Sequence, residues 1–280
     1  MKSLLFICAC AFAFTWAYSP QRGARVIGGS TVVTGQFPFV AAIHISTSQG
    51  RYFCGGTLIS NQWVVTAAQC AQDAVLFSIQ LGSHTLTKDD SNRVTVASSE
   101  YFIHPDFNPD TLENDIALIE LRLPVEFSSN THPRKYFDCN DIYNFVLDYL
   151  LAIHSLAQEP LNTSSAVIVT GWGQTSDADS ALSENLQFVR VTTLSNEECR
   201  LTYGNQIYDT MVCVDGNYNE GSCNGDTGGP LINVVSMGNA QLVGVASFVS
   251  GNGCESTDPS GYTRVYPYVG WIKNVTGLAF

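Results

Sequence analysis

The sequence predicts an all-β fold, because short runs rich in Val, Ile, Phe and Thr recur between clusters of Gly, Asn, Asp and Ser. Runs of this length and composition are typical of strands, and their close spacing is typical of a sandwich or barrel. Apolar residues recur at helical intervals in Asp141–Ala157 and in Tyr266–Val275, which predicts two helices. The predicted strands are Phe39–Ile45, Gly56–Ile59, Trp63–Thr66, Leu76–Leu81, Ile116–Leu121, Ala166–Gly171, Leu186–Thr193, Pro230–Val235 and Gln241–Val249.

Residues 1–17, MKSLLFICACAFAFTWA, predict a secretory signal peptide. One Lys precedes an apolar run, and small residues stand where a signal peptidase cuts. The alternative, a membrane anchor, would need a longer apolar run, and polar residues follow at 18–21. We therefore expect a secreted, extracellular protein with no membrane as its partner.

The cysteines predict a disulfide framework, since secreted proteins meet an oxidising environment. Of nine cysteines, Cys8 and Cys10 lie in the signal peptide. The remaining number is odd, so one cysteine is unpaired or bridges to another chain. The remaining cysteines are Cys54, Cys70, Cys139, Cys199, Cys213, Cys223 and Cys254.

The surface is predicted to be acidic, because the chain has a net charge of −12. A surface of this sign repels phosphate groups, which argues against nucleic acid or an anionic membrane as a partner. N-glycosylation sequons are present at Asn162 and Asn274, and each Asn is either glycosylated or an ordinary surface residue.

Six motifs occur in order along the chain: Arg25-Val26-Ile27-Gly28-Gly29, Thr66-Ala67-Ala68-Gln69-Cys70, Asn114-Asp115-Ile116-Ala117-Leu118, Gly171-Trp172-Gly173, Gly225-Asp226-Thr227-Gly228-Gly229-Pro230 and Gly261-Tyr262-Thr263-Arg264-Val265. In this order they resemble the trypsin/chymotrypsin family of serine proteases, and most of all the digestive chymotrypsins of invertebrates. The resemblance implies two six-stranded antiparallel β-barrels followed by a C-terminal helix.

The same resemblance implies an order of segments along the chain. After the signal peptide at 1–17, an activation propeptide at 18–25 precedes a chymotrypsin-like domain at 26–280. Within that domain we expect a first barrel at about 26–130, a connection with an insertion at about 131–160, a second barrel at about 161–265 and a helix at about 266–276.

Two of the three catalytic positions of the family are occupied by other residues. Asp115 matches the family's Asp, but Gln69 stands where the family has His, and Thr227 stands where it has Ser. The family uses Ser as nucleophile, His as general base and Asp to orient the His. A carboxamide takes up no proton near neutral pH, and an alcohol without an adjacent base is a weak nucleophile. The substitutions therefore predict an inactive protease homologue.

Other features of the family are retained. The backbone N–H groups of Gly225 and Thr227 match the oxyanion hole. Val26 and Asp226 match the new amino terminus and its ion-pair partner, so a trypsin-like protease is expected to cut after Arg25. The family's usual bridges would be Cys54–Cys70, Cys199–Cys213 and Cys223–Cys254.

The specificity pocket is expected, by resemblance, to have Gly221 at its floor, with Ser247 and Val249 along one wall and Ser260 opposite. No carboxylate is expected at the floor, which argues against a preference for Lys or Arg. Val249 replaces a common Gly and would shorten the slot, so small apolar side chains should fit best.

Three functions are compatible with these observations. The first is a protease homologue that binds peptides, a protease inhibitor or an active protease without cleaving them. The second is weak Thr-based hydrolysis, and the third is an immune or adhesion protein that uses only its surface. None of them requires a cofactor or a metal.

The segment Arg134–Ala152 interrupts the resemblance and contains Cys139. Its apolar spacing, with Asn140 as cap, is that of an amphipathic helix that binds a partner. The alternative is a retained intron, since codons for Arg134-Lys135-Tyr136 can contain a splice donor and those for Leu151-Ala152 an acceptor. Excision would keep the reading frame and leave an even number of cysteines. We favour the intron.

Overall fold

The computed structural model describes residues 29–126, 156–217, 220–234 and 240–279, in which the strands form two antiparallel sheets. The first sheet contains β2 (Val40–Thr47), β3 (Arg51–Leu58), β4 (Trp63–Thr66), β5 (Ala74–Leu81), β6 (Val94–Ser98), β7 (Glu100–Ile103) and β8 (Ala117–Glu120). The second contains β1 (Ser30–Thr31), β9 (Ala166–Gly171), β10 (Gln187–Leu194), β11 (Met211–Val214), β12 (Pro230–Val234), β13 (Ala240–Phe248) and β14 (Ser260–Arg264).

The second sheet closes into a barrel, whereas the first, over the residues that the structure describes, curls without a closing ladder. In the second sheet the strands run β10-β11-β14-β13-β12-β9, and β9 pairs with β10 to complete a ring of six, to which β1 adds at β10. The first sheet runs β6-β5-β2-β3-β4-β8-β7. The predicted all-β fold is confirmed.

The first sheet has seven strands rather than six because one strand is bent at Ser99. Before the bend, Ser98 Oγ donates to Glu120 O (2.5 Å). After it, the backbone N–H of Glu100 donates back to Ser98 Oγ (3.1 Å). The serine thus replaces a ladder hydrogen bond and lets β6 pair with β5 while β7 pairs with β8.

The core is continuous between the two sheets. Ile43, Phe77 and Leu118 of the first sheet are completely buried. They belong to one apolar cluster with Trp172, which follows β9, and with Ile272 near the carboxyl terminus. The packing therefore fixes the second barrel and the last helix against the first sheet, and it also fixes the loops that meet between them.

The helices within the described residues are short: α1 (Ala68–Ala71), α2 (Asn196–Tyr203) and α3 (Val269–Thr276), with 3₁₀ turns at Gly204–Gln206 and Tyr266–Tyr268. The predicted C-terminal helix is confirmed. None of the helices in the described ranges is long and apolar enough to span a membrane.

The other predicted helix, Asp141–Ala157, lies outside the described residues except at its end, where the prediction is wrong. Leu156 pairs with Leu242 as an isolated bridge, and Ala157 N donates to Leu242 O (3.1 Å). These backbone bonds attach the chain to the second barrel in an extended conformation.

Candidate active site

Gln69, Asp115 and Thr227, which are far apart in the sequence, come together between the two sheets. Gln69 lies on α1 directly after β4, Asp115 precedes β8, and Thr227 lies in the loop before β12. The backbone N–H of Gly55 on β3 donates to Thr227 O (2.8 Å), which attaches this loop to the first sheet. Gln69 and Thr227 face one cleft of about 370 Å³.

The side chain of Gln69 is bound to the Asp115 carboxylate. Gln69 Nε2 donates to Asp115 Oδ2 (2.6 Å) and to Ser247 O (2.9 Å). The backbone N–H of Gln69 donates to the other carboxylate oxygen, Asp115 Oδ1 (2.9 Å). Since Nε2 carries two hydrogens, both are engaged, and Oε1 of the carboxamide can only accept. Gln69 therefore orients Asp115 but cannot take up a proton.

The Asp115 carboxylate is completely buried, and burial raises its pKa. Hydrogen bonds from Ser247 and Gln69 act in the opposite direction, because they favour the charged form. The shortest of them come from Gln69 Nε2 and from Ser247 Oγ, each 2.6 Å from Asp115 Oδ2. Every hydrogen-bond donor that the structure gives to this carboxylate is neutral.

The Thr227 hydroxyl has no hydrogen-bond partner within the described ranges. Both amide hydrogens of Gln69 point to other acceptors, so Gln69 does not donate to Thr227. An activated nucleophile is recognised by a hydrogen bond to its base. That hydrogen bond is missing from the part of the chain that the structure describes.

Two backbone N–H groups beside Thr227 are available to a ligand. Asp226 N donates to Cys223 O (2.9 Å) in a tight turn, whereas Gly225 N and Thr227 N have no acceptor among the described residues. The turn requires a positive φ of 95° at Gly225, and a Cβ there would collide with Leu182. The pair can bind a carbonyl oxygen or an oxyanion.

The Asp226 side chain points away from the cleft, against Gly171 and Gly173. Its Oδ1 accepts from Gly173 N (2.7 Å), and its Oδ2 accepts from Cys223 N (2.9 Å). Complete burial raises the pKa of this carboxyl to about 6. Arg25 and Val26 lie outside the described residues.

Two of the residues assigned to the specificity pocket, Gly221 and Ser260, lie beside a group of hydroxyls. A Cβ on Gly221 would be 2.9 Å from Ser260 Oγ. The Tyr262 hydroxyl lies 3.3 Å from Ser260 Oγ and donates to Ser222 Oγ (3.1 Å). Val249 is half-buried. Sequence reasoning missed Ser222 and Tyr262, although both lie within or beside motifs that carry the resemblance.

Ser247 has a role that the sequence does not predict. The resemblance places it in the pocket wall, and in the structure it is the last buried residue of β13. Its hydroxyl, however, donates to Asp115 Oδ2 (2.6 Å) and its carbonyl accepts from Gln69. No local pattern indicates this contact, since the two partners are separated by 132 positions.

Three disulfides are formed among the described residues: Cys54–Cys70, Cys199–Cys213 and Cys223–Cys254. Asp177 lies near the sulfur atoms of the third, but sulfur atoms bonded to each other are not metal ligands. The Asp177 carboxylate instead accepts from the backbone N–H groups of Cys254 (2.8 Å) and Glu255 (3.0 Å). The two sequon residues, Asn162 and Asn274, are exposed.

Comparison with known proteins gives consistent matches. The chain is 33% identical to brachyurin of Leptuca pugilator over 253 residues, covering 90% of this chain and 99% of that protein. It is 37% identical to collagenase of Hypoderma lineatum over 292 residues, covering 100% of both chains. The solved structure of HL collagenase has a TM-score of 0.71 at 35% identity and covers 91% of this chain and 100% of that one.

The structural match shows the chymotrypsin fold that the sequence resemblance predicted. The family model described as Trypsin matches residues 26–272, which include both sheets and all residues of the candidate site. The chain therefore belongs to the trypsin family of serine proteases.

Proposed function

We propose that this chain is a secreted, catalytically inactive serine protease homologue that binds a peptide or protein ligand, either a protease inhibitor or an active protease, without cleaving it. The observation that carries the proposal is the hydrogen bonding of Gln69. Its Nε2 is engaged by Asp115 and Ser247, and its remaining polar atom is an amide oxygen that accepts no proton near neutral pH. Thr227 is left without a base.

The loss expected from this substitution is large. In the convergent triad of subtilisin, removal of the base alone lowers turnover by about 10⁶, roughly 8 kcal/mol. A rate of about 10³ to 10⁴ over the uncatalysed reaction survives from the oxyanion hole and substrate binding. Proteolysis at digestive rates is not possible on that remainder.

The groups that bind a peptide are retained, which favours binding over a merely structural role. The N–H groups of Gly225 and Thr227 are free, within the described ranges, to bind a carbonyl oxygen. The cleft of about 370 Å³ beside Gln69 and Thr227 is lined in part by Tyr52, Phe53 and the Cys54–Cys70 disulfide.

Titration with a macromolecular serine protease inhibitor tests the proposal. The purified chain should bind the inhibitor saturably, while peptide substrates stay intact and an active-site phosphonate probe leaves Thr227 unlabelled. Thr227→Arg places a long side chain in the cleft and should abolish binding. Leu201→Arg, on the exposed face of α2, is the matched control and should bind normally.

Other outcomes would favour the remaining functions. Labelling of Thr227 together with slow turnover would indicate a weak Thr-dependent hydrolase. If neither the wild type nor Leu201→Arg binds the inhibitor, ligand capture by the cleft is contradicted. The adhesion role is then the function that remains.

A further inference from the structure

The loop between β5 and β6 is organised around the guanidinium group of Arg93. Nη2 of Arg93 donates to Thr85 O and to Lys88 O, each at 2.7 Å. The same nitrogen lies 3.2 Å from Thr85 Oγ1 and 3.4 Å from Ser83 Oγ. Nη2 carries two hydrogens, and the two carbonyl oxygens accept them. The two hydroxyl oxygens lie beside the same nitrogen at longer distances.

This set of oxygens is one that a hard cation would use. Calcium in proteins is bound by backbone carbonyl, hydroxyl and carboxylate oxygens supplied by one short loop. A carboxylate also lies next to the group here, because Ser83 Oγ donates to Asp90 Oδ2 (2.9 Å). The position that a metal ion would occupy is filled by a covalently attached positive charge.

The loop that Arg93 holds forms part of the contact between the two sheets. Leu86 N donates to Glu184 O (2.9 Å), and Leu186 N donates to His84 O (2.7 Å). The Glu184 carboxylate accepts from the backbone N–H groups of Thr87 (3.1 Å) and Lys88 (2.9 Å). Residues 84–88, in the loop that joins β5 to β6 of the first sheet, are thereby docked on residues 184–186, which lead into β10 of the second barrel.

We infer that Arg93 is a fixed internal cation, which fills an oxygen-lined cation site and makes the docking of residues 83–93 on the second barrel independent of metal. Arg suits this role, because its guanidinium stays charged at all physiological pH values and donates in fixed directions. Replacement of Arg93 by a carboxylate should convert the same oxygens into a calcium site.

Thermal unfolding of the full secreted chain in excess EDTA and in millimolar CaCl₂ tests the inference. The wild type should have the same Tm in both solutions. Arg93→Gln should lower the Tm in both. Arg93→Glu should lower it strongly in EDTA, and CaCl₂ should restore several degrees. Arg122→Glu makes the same charge change at an exposed residue beyond β8 and should respond to neither.

A wild-type Tm that rises with CaCl₂ and falls with EDTA would overturn the inference, since the site would then accept metal beside Arg93. An Arg93→Glu variant as stable as the wild type and indifferent to CaCl₂ would overturn it as well. If Arg93→Glu does not fold in EDTA, expression in CaCl₂ and calorimetric titration of the folded protein decide between a calcium site and none.

Discussion

Gln69 Nε2 lies 2.6 Å from Asp115 Oδ2, which is a hydrogen bond that an imidazole N–H could also make from this position. We expect that Gln69→His together with Thr227→Ser produces measurable hydrolysis of peptides with small apolar side chains. The His would supply the missing base, and Ser would remove a methyl group that restricts the side-chain rotamer. The double variant should exceed each single variant by roughly two orders of magnitude in kcat/KM, because nucleophile and base act as a unit.

Asp115→Asn in the background of the double variant is the control, because an amide at this position would no longer orient the new histidine. It should remove most of the gained activity while leaving inhibitor binding intact. A wild-type protein that cleaves peptides at ordinary protease rates, and keeps that rate after treatment with a His-directed reagent, would show that Gln69 has been assigned the wrong role.

Which site residues can be predicted from the sequence depends on whether a motif contains them. Gln69, Asp115, Thr227 and Asp226 stand in motifs that resemble the family, so the sequence alone is enough to name them. The contact of Ser247 with Asp115 is not predictable in this way, because it joins β13 to the start of β8 through tertiary packing alone.

Among the elements, long apolar strands are predictable and short mixed ones are not. β14 reads Ser-Gly-Tyr-Thr-Arg, a composition typical of a loop, and forms a strand because β11 and β13 flank it. Helix α2 has few apolar residues, so the sequence shows no apolar periodicity that would predict it. Its capping box, in which Ser195 and Glu198 exchange hydrogen bonds, is the sequence signal that could have found it.

The loop that carries Asp226 leads to a prediction about pH. The pKa of its carboxyl is about 6 against an ordinary 3.8, so the folded uncleaved chain binds the proton more tightly than the unfolded chain. The resulting stabilisation is fully present below about pH 4 and is lost as the pH rises through 6. It amounts to roughly 3 kcal/mol. Titration of Asp226 should therefore lower the Tm of the uncleaved chain as the pH rises from 4 to 7.

Cleavage after Arg25 by a trypsin-like protease should reverse the direction of this pH dependence of the Tm. The new ammonium group of Val26 would favour the charged form of Asp226 and depress its pKa, so stability would be lost as the pH falls. The Tm should be measured against pH for the cleaved and the uncleaved form, with amino-terminal sequencing to identify each. Since the other titratable groups contribute equally to both forms, the difference between the two profiles reports Asp226. Identical profiles would show that Val26 does not reach Asp226.

At the scale of the whole molecule, the two sheets are held together by a continuous core and by the docking of residues 84–88 on residues 184–186. The candidate site lies across the same junction, with Gln69 and Asp115 supplied by the first sheet and Thr227 by the second. A ligand that fills the cleft would therefore contact both halves, so binding should raise the Tm of the whole chain.

The proposed secretion has a consequence for the length of the mature chain. The three disulfides use every cysteine in the described ranges, so Cys139 would be left unpaired in an oxidising compartment, where a free thiol exchanges with disulfides. We expect the mature transcript to lack Arg134–Ala152 and to read Thr-His-Pro-Pro-Ile-His-Ser-Leu across the junction. Sequencing of the transcript, together with the intact mass of the secreted protein, measures this directly. A transcript and a protein that both retain Cys139 would contradict the intron and establish the segment as part of the folded chain, with the amphipathic helix as its expected form.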